Sequence, residues 1–143
     1  MSVKQYIVLR KDPPTHTGEP VSAAKLATMA AHASSAFLLR HIVSSAKLCL
    51  RDVQFALDHE LEEWVLDNYV KVLLGAKTKD FLKLPEKASA LGFRENIDFF
   101  RVHDICRTEL LPDDGADTCF IAIGFRPMDE DKIRPLVKRL QLY

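Results

Sequence analysis

A lysine near the start of a long predicted helix is the first residue whose position suggests chemistry. Lys25 lies three residues after Ser22, which can cap the helix, so it sits where the helix macrodipole already carries partial positive charge. A cation there is disfavoured by about 0.3–1 kcal/mol. Two interpretations stay open: the side chain extends into solvent, or the lysine and free helix amides together hold a phosphate or a developing oxyanion.

A second polar group follows the predicted strand Ile97–His103. Alternation along this strand places Asp104 at its end on the largely apolar face. A carboxylate there can activate water as a general base, or it can simply form an ion pair with Arg107. Thr108 and Thr118 offer hydroxyl groups on either side of the connection that follows the strand. Both interpretations of the carboxylate stay open at this point.

Two histidines complete the set of candidate side chains. His103 and Cys106 could be a base and a nucleophile, but neighbouring strand residues point to opposite faces, and nothing in the sequence indicates an activated thiol. His32 lies seven residues after Lys25, on the same side of the helix. A lone histidine beside a stripe of alanines is more often structural than catalytic.

Several standard enzyme signatures are absent from the sequence, namely GxGxxG, GxxxxGK[ST], HExxH, GxSxG and CxxC. Their absence excludes the commonest dehydrogenase, NTPase, zinc-protease and esterase classes. The three cysteines, Cys49, Cys106 and Cys119, have spacings that suit neither a disulfide framework nor a zinc knuckle. We therefore expect reduced thiols and no bound metal.

Composition indicates one ordinary globular domain over residues 1–143, with 48% hydrophobic and 28% charged residues. The sequence shows neither a leader segment nor an apolar run as long as a membrane span, so we expect a cytoplasmic protein without membrane contact. Twenty basic residues balance twenty acidic ones. This balance argues against binding long nucleic acids through a global field. Any contact with nucleic acid would therefore have to rest on local patches of positive charge. The candidate patches are Lys77, Lys79, Lys83 and Lys87 on one predicted helix and Lys132, Arg134, Lys138 and Arg139 on another.

The elements that must position these residues follow from hydrophobic periodicity and turn signals. We predict strands over Tyr6–Arg10, Asn68–Leu74, Ile97–His103 and Thr118–Gly124. We predict helices over Val21–Val43, Asp52–Glu63, Thr78–Leu91 and Asp129–Leu140. Strand, helix and strand over residues 68–103 form a βαβ unit, which requires a parallel pair. The fold class is therefore α/β.

The order of motifs resembles the archaeal and eukaryotic family of peptidyl-tRNA hydrolases over nearly the whole chain. That family has an Arg-x-Asp after its first strand, which is matched by LRKD at residues 9–12. Its helix motif Lys-[Val/Ile]-Ala-Ala-Gln-x-x-His-Ala is similar to KLATMAAHA at residues 25–33. Its later signature Asp-Ala-Gly-Arg-Thr-Gln is similar to DICRTE at residues 104–109, and a threonine and Ile-Gly follow at Thr118 and residues 123–124.

The resemblance implies a single domain with a mixed four-stranded sheet flanked by helices on both faces, often assembled as a homodimer. It implies hydrolysis of the ester that joins a peptide to tRNA, with peptidyl-tRNA as the substrate and without a metal or cofactor. Matched position by position, the catalytic residues would be Lys25, Asp104, Thr108 and Thr118. Lys25 would hold the oxyanion or a nearby phosphate, and Asp104 would orient or deprotonate water. The two threonines would hydrogen-bond the ester or the water.

Two further residues are carried over as substrate-binding candidates. Arg107 would brace Asp104 beside the substrate, and His32 is matched in the family, although a structural role suits it better. Several positions depart from the family pattern: Met29 replaces a glutamine, Ala24 a glycine, Gly75 a lysine and Cys106 a glycine. The loop before Thr118 is also two residues longer and contains three acidic residues, Asp113, Asp114 and Asp117. The loss of one lysine and the gain of acidic residues should weaken tRNA binding.

The segments QYIVLRKD and ENIDFF also resemble the peptidyl-tRNA hydrolase domain-containing branch, whose members have largely lost the Asp-x-x-Arg-Thr set. This chain keeps that set, which favours an active hydrolase. The main alternative is a catalytically silent RNA- or protein-binding module with the same fold. A third interpretation is hydrolysis of another small acyl ester or amide in the same pocket.

Overall fold

The computed structural model describes residues 2–45, 57–67 and 69–143. Its four longer strands are β1 (Val3–Arg10), β2 (Lys71–Ala76), β3 (Phe99–Asp104) and β4 (Cys119–Phe125). Two strands of two residues each are β5 (Met128–Asp129) and β6 (Gln141–Leu142). The helices are α1 (Ala23–Ser45), α2 (His59–Leu66), α3 (Thr78–Phe81), α4 (Leu84–Ala90) and α5 (Glu130–Val137). None of the described helices is both long enough and apolar enough to cross a membrane.

The strands form one mixed sheet in the order β3-β4-β1-β2-β6, with β5 paired to β1 off this path. β1 and β2 are parallel, whereas β3 and β4 are antiparallel to each other, as are β4 and β1. The α/β class is confirmed. The expected number of four strands is wrong, because the described part of the chain also contains the two-residue strands β5 and β6, which bring the sheet to six.

The predicted βαβ unit over residues 68–103 is also wrong. β2 pairs in parallel with β1, and β3 pairs antiparallel with β4, so the parallel crossover is the connection that contains α1 and α2. Local periodicity identifies strands but carries no information about which strands become neighbours. The helix predicted over Thr78–Leu91 is divided into α3 and α4, because Pro85 lies in the first turn of a new helix instead of kinking one helix.

The helix predicted over Asp52–Glu63 falls partly on residues that the structure does not describe. Within the described residues, the observed helix α2 is capped by Asp58, whose carboxylate accepts a hydrogen bond from the Leu61 N–H. The portion up to residue 56 lies outside the described residues. Of the predicted strand Asn68–Leu74, residue Asn68 lies outside the described residues, and β2 begins at Lys71.

The hydrophobic core contains two clusters of buried side chains. One joins α1 to the sheet, and its members include Ile7, Leu9, Leu26, Met29, Ala33, Val102 and Ile121. The other joins α3, α4 and α5 to the sheet, and its members include Val8, Phe81, Leu84, Phe125, Ile133 and Leu136. Met29, which replaces a polar family residue, is therefore part of the core.

The close packing of α1 on β4 depends on Gly124. A Cβ atom added at this glycine would lie 2.0 Å from the carbonyl oxygen of Ala33 in α1. We expect Gly124→Ala to lower the free energy of unfolding by about 1–3 kcal/mol or more, because helix backbone must move to admit the methyl group. Urea unfolding measures this loss.

Gly75→Ala is the matched control for that measurement. The nearest atoms to an added Cβ at Gly75 belong to the side chains of Tyr143 and Lys11, at 2.8 and 2.9 Å, and such side chains can rotate away. The Gly75 variant should therefore lose less stability than the Gly124 variant. Equal losses of unfolding free energy in the two variants would contradict the close packing of the α1 backbone on β4.

Candidate active site

The start of α1 is fixed by Ser22, as the sequence predicted. The Ser22 hydroxyl oxygen accepts the Lys25 N–H at 3.1 Å, and the Ser22 carbonyl accepts the Leu26 N–H at 3.1 Å. These bonds satisfy donors that the first helical turn would otherwise leave without partners. They also place Lys25 in the first turn of the helix.

A carboxylate that sequence reasoning missed lies at this helix start. Glu109 accepts the Ser22 N–H at 2.9 Å and the Ser22 hydroxyl hydrogen at 2.6 Å, and we call this pair the Ser22–Glu109 clasp. The hydrogen bonds from Ser22 lower the pKa of the Glu109 carboxyl. The negative charge offsets the unfavourable placement of Lys25 against the macrodipole. One of the two interpretations of Lys25 placed an external anion at this helix start, and the Glu109 carboxylate supplies a negative charge there.

The clasp has a consequence for stability as a function of pH. Because the pKa of Glu109 is lowered in the folded state from its ordinary 4.5, its contribution to stability is fully present above pH 4.5. The contribution is lost as pH falls through the lowered value. We expect Glu109→Gln to be less stable than the parent at neutral pH, and the difference to vanish on acidification below pH 4.5.

Thermal unfolding of both proteins across this pH range measures the effect, and Glu19→Gln is the control. Glu19 is exposed, and its carboxylate makes no hydrogen bond within the described part of the chain. A stability difference for Glu109→Gln that persists unchanged in acid would contradict a contribution from the ionised carboxylate.

Three of the predicted side chains meet beside the clasp. The Lys25 ammonium lies 2.5 Å from Oδ2 of Asp104 and donates to the Thr108 hydroxyl at 3.3 Å. Both charged side chains are largely shielded, with exposed fractions of 16% for Lys25 and 6% for Asp104. The lysine thus turns inward to a carboxylate instead of extending into solvent. We call these three residues the Lys25–Asp104–Thr108 cluster.

A left-handed turn holds the carboxylate in place. Cys106 has a φ of +59°, and its N–H donates to Oδ1 of Asp104 at 2.8 Å. Glycine adopts this conformation without strain, which accounts for the glycine that the family pattern has at this position. One carboxylate oxygen therefore faces a backbone donor while the other faces Lys25.

The proposed contact between Asp104 and Arg107 is not formed. The ion-pair partner of Asp104 is Lys25, and Arg107 is exposed and makes no salt bridge within the described residues. The prediction that Arg107 braces Asp104 is therefore wrong. Three residues of spacing made that pair plausible, but the turn at Cys106 carries Arg107 outward, where its guanidinium is available to a ligand.

Thr118 is not hydrogen-bonded to the cluster. Its hydroxyl lies 3.3 Å from Nδ1 of His103, and the residue opposite Asp104 in the β3–β4 ladder is Cys119. A register shift between Val102 and His103 marks a β-bulge in this ladder. Since successive strand residues alternate between faces, Thr118 lies on the side of His103.

The cysteines near the cluster are poor nucleophiles. Burial, followed by the nearby charge of Asp104, raises the pKa of the Cys106 thiol. Burial also raises the pKa of Cys119 to about 12. Both thiols are free and stay protonated at neutral pH. A mechanism with Cys106 as nucleophile and His103 as base is accordingly disfavoured.

His32 is exposed on α1 and lines a groove between α1 and β3 with a volume of about 440 Å³. Because His32 is exposed, its degree of burial does not support the expected structural role. We call this cavity the α1–β3 groove, and its lining also includes Ala36, Leu39, Arg40, Phe100, Val102 and His103.

A buried arginine, which sequence reasoning treated only as a motif match, anchors the loop that carries Thr108. Arg10 donates from Nη1 to Oδ1 of Asp113 at 2.7 Å and to the Phe120 carbonyl at 3.1 Å, and from Nε to the Thr78 hydroxyl at 2.9 Å. The other oxygen of Asp113 accepts the Phe120 N–H at 2.7 Å. The charge of Asp113 is thus offset by the buried guanidinium of Arg10.

Fold and site together define a class of protein. It is a single α/β domain in which a shielded lysine–carboxylate–hydroxyl cluster joins a helix start to the end of a sheet strand. A family model described as peptidyl-tRNA hydrolase PTH2 matches residues 3–143. The chain therefore belongs to the peptidyl-tRNA hydrolase PTH2 family. A search of curated proteins finds no match to the chain.

Proposed function

We propose that the chain hydrolyses the ester bond between peptide and tRNA in peptidyl-tRNA and so releases free tRNA. Family membership supports a hydrolase of this kind. The observation that carries the proposal for this chain is the ammonium of Lys25 between the Asp104 carboxylate and the Thr108 hydroxyl. An ester needs an activated water and an electrophilic group, and the cluster offers both.

In the proposed reaction, Asp104 accepts a hydrogen bond from water and removes a proton as the water oxygen attacks the ester carbon. Lys25 stabilises the negative charge that develops on the carbonyl oxygen, and Thr108 orients the water or the ester by hydrogen bonding. The bond from the carbon to the ribose oxygen then breaks. The leaving ribose oxygen takes up the proton that Asp104 removed, and the second proton of the water passes to solvent, so the products are a free peptide carboxylate and a tRNA hydroxyl.

The remaining predicted residues enter the proposal in weaker roles. Arg107 is exposed beside the cluster and can meet a phosphate of the tRNA. Thr118 and His32 can contact the substrate at the margins of the site, Thr118 together with His103. As implied by the family, we also propose a cytoplasmic homodimer, with no membrane contact.

Binding of tRNA must use local positive charge in this neutral protein. One of the two predicted patches is partly neutralised, since Lys132 pairs with Glu60 and Arg134 with Glu130 and Asp131. The other patch lies along α3 and α4 and consists of Lys77, Lys79, Lys83 and Lys87. We propose that this second patch contributes phosphate contacts, which makes the affinity modest and strongly dependent on salt.

The direct test is release of N-acetyl-aminoacyl groups from tRNA by the purified protein, compared with Lys25→Met. We expect the substitution to lower turnover by about 10²-fold, because one electrophilic donor is lost. Lys132→Met is the control, since Lys132 is exposed and pairs with Glu60 on the surface. Binding of tRNA without release by the parent protein would instead favour the silent binding module.

A further inference from the structure

Among the described residues, the outer edge of β3 has backbone hydrogen-bonding groups without a partner. β3 lies at the end of the sheet and has β4 as its neighbour. At Phe99 the outward groups are used, because its N–H donates to the Arg94 carbonyl at 3.3 Å and its carbonyl accepts the Asn96 N–H at 2.7 Å. Alternation along the strand directs the N–H and C=O groups of Arg101 and His103 to the same outward side. No backbone partner lies opposite them within the described residues.

The α1–β3 groove runs alongside this edge, and part of its lining is apolar. Ala36 and Leu39 contribute from α1, and Phe100 and Val102 contribute from β3. Leu39 is 56% exposed although it lines the groove, so apolar surface there is available for a ligand to cover. An open strand edge beside an apolar groove is the arrangement by which proteins add an extended peptide as a further strand.

The α1–β3 groove extends toward the Lys25–Asp104–Thr108 cluster, although none of the three cluster residues lines it. α1 runs antiparallel to β3, because Lys25 contacts Asp104 at one end while Ala33 lies over Gly124, the partner of Phe100, further along. His103 lines the groove and immediately precedes Asp104. A chain lying in the groove can therefore present one end to the cluster.

We propose that the β3 edge and the α1–β3 groove bind an extended peptide, which pairs with the backbone of Arg101 and His103 and inserts alternate side chains beside Leu39. The peptide runs parallel to β3, with its carboxyl end at Asp104. The identification of this peptide as the peptidyl part of a peptidyl ester rests on the proposed function. The binding of an extended peptide to the β3 edge and the groove does not.

A peptide fits the groove better than an RNA strand does. Of the two arginines that line the groove, Arg40 and Arg101, the guanidinium of Arg101 is already paired with Glu95 and lies over the Phe120 ring. The charge of Lys25 is likewise engaged by Asp104. Apolar side chains and unpaired backbone groups match the alternating side chains and amides of an extended peptide.

Binding can be tested without hydrolysis by NMR titration of the full-length ¹⁵N-labelled protein with acetyl-Val-Ala-Val-amide, which contains no ester. We expect shifts centred on the amides of Arg101 and His103 and on the methyl groups of Leu39. A version of the peptide that is N-methylated at its central residue should bind roughly tenfold more weakly, since it loses a strand hydrogen bond and clashes at the edge.

Leu39→Asp should weaken binding of the same peptide roughly tenfold, because a charge replaces apolar contact surface. Leu38→Asp is the matched control, since Leu38 is the neighbouring residue on α1, is 36% exposed and does not line the groove. Thermal unfolding of both variants checks that the fold is kept. In the hydrolysis assay, Leu39→Asp should raise KM for acetyl-tripeptidyl-tRNA more than for acetyl-aminoacyl-tRNA.

Three results would overturn the peptide site. One is the absence of shifts at Arg101 and His103 at millimolar peptide. Another is that a short single-stranded RNA shifts these amides while the peptide does not. The third is a dimer, seen by sedimentation, in which the same amides are protected from exchange by a second copy. If the peptide binds but no ester is hydrolysed, the proposed function fails while the peptide site stands.

Discussion

Replacing Asp104 with asparagine should lower the rate of peptidyl-tRNA hydrolysis by about 10²–10⁴-fold, the usual contribution of a general base. Asparagine keeps an oxygen that can accept the Cys106 N–H, so the left-handed turn is retained. It removes the charge that faces Lys25 and the base that would take a proton from water. Affinity for tRNA should be unchanged or slightly higher, because a negative charge has been removed near the phosphates.

Turnover, tRNA affinity and thermal midpoint must be measured on the same Asp104→Asn protein. Asp114→Asn is the control, because Asp114 is exposed in the same loop and makes no ion pair within the described part of the chain. A protein with near-normal turnover would end the case for Asp104 as the catalytic carboxylate. A lowered thermal midpoint, with a loss of activity no larger than the loss of folded protein, would show that Asp104 serves only as the ion-pair partner of Lys25.

Arg10→Leu should lower the free energy of unfolding by roughly 3 kcal/mol, near the lower end for breaking a buried ion pair. The Arg10 side chain is 5% exposed, and its loss removes the donor to Oδ1 of Asp113 and to the Phe120 carbonyl, while Oδ2 of Asp113 keeps the Phe120 N–H. Asp113 is 25% exposed, so water can partly solvate it, and this places the loss at the lower end. Urea denaturation with a two-state fit measures the change.

Arg94→Leu is the matched control for the Arg10 variant. Arg94 also pairs with an aspartate, Asp98, but its side chain is 65% exposed, and a surface pair of this kind contributes about 0–1 kcal/mol. Comparable losses in the two variants would show that the Arg10–Asp113 contact is not the anchor of the loop. The double variant Arg10→Leu/Asp113→Asn should recover part of the stability, because it removes the unpaired charge.

Local sequence signals predicted the elements better than their arrangement. Ser22 and the alanine stripe identified α1, and apolar runs identified the four longer strands, because capping and periodicity are properties of neighbouring residues. The sheet order depends on pairings between distant segments, so the parallel partner of β2 was predicted as β3 when it is β1. β5 and β6 contain two residues each, too few to show an alternating pattern.

The site shows the same division. Lys25, Asp104 and Thr108, which the family resemblance assigns to one catalytic site, do meet: Lys25 lies in the first turn of α1, Asp104 ends β3, and Thr108 follows in the next loop. The expected place of Thr118 in the same cluster was wrong, because one extra residue in a ladder reverses which side chains face the core, and a bulge leaves no local signature. Glu109 was missed because its partner, Ser22, lies 87 residues away.

That separation affects how the protein folds. The Ser22–Glu109 clasp spans 87 residues and the Lys25–Thr108 hydrogen bond spans 83, so each closes a loop longer than half the chain. Contacts of such high contact order form only after the entropy of closing the loop has been overcome. A chain in which α1 has formed but the distant segments have not yet met would therefore hold Lys25 without its partners. After dilution from denaturant, we expect the helical signal to return before turnover does. Turnover requires the long-range contacts of Lys25, so its recovery should report the last of these contacts to form.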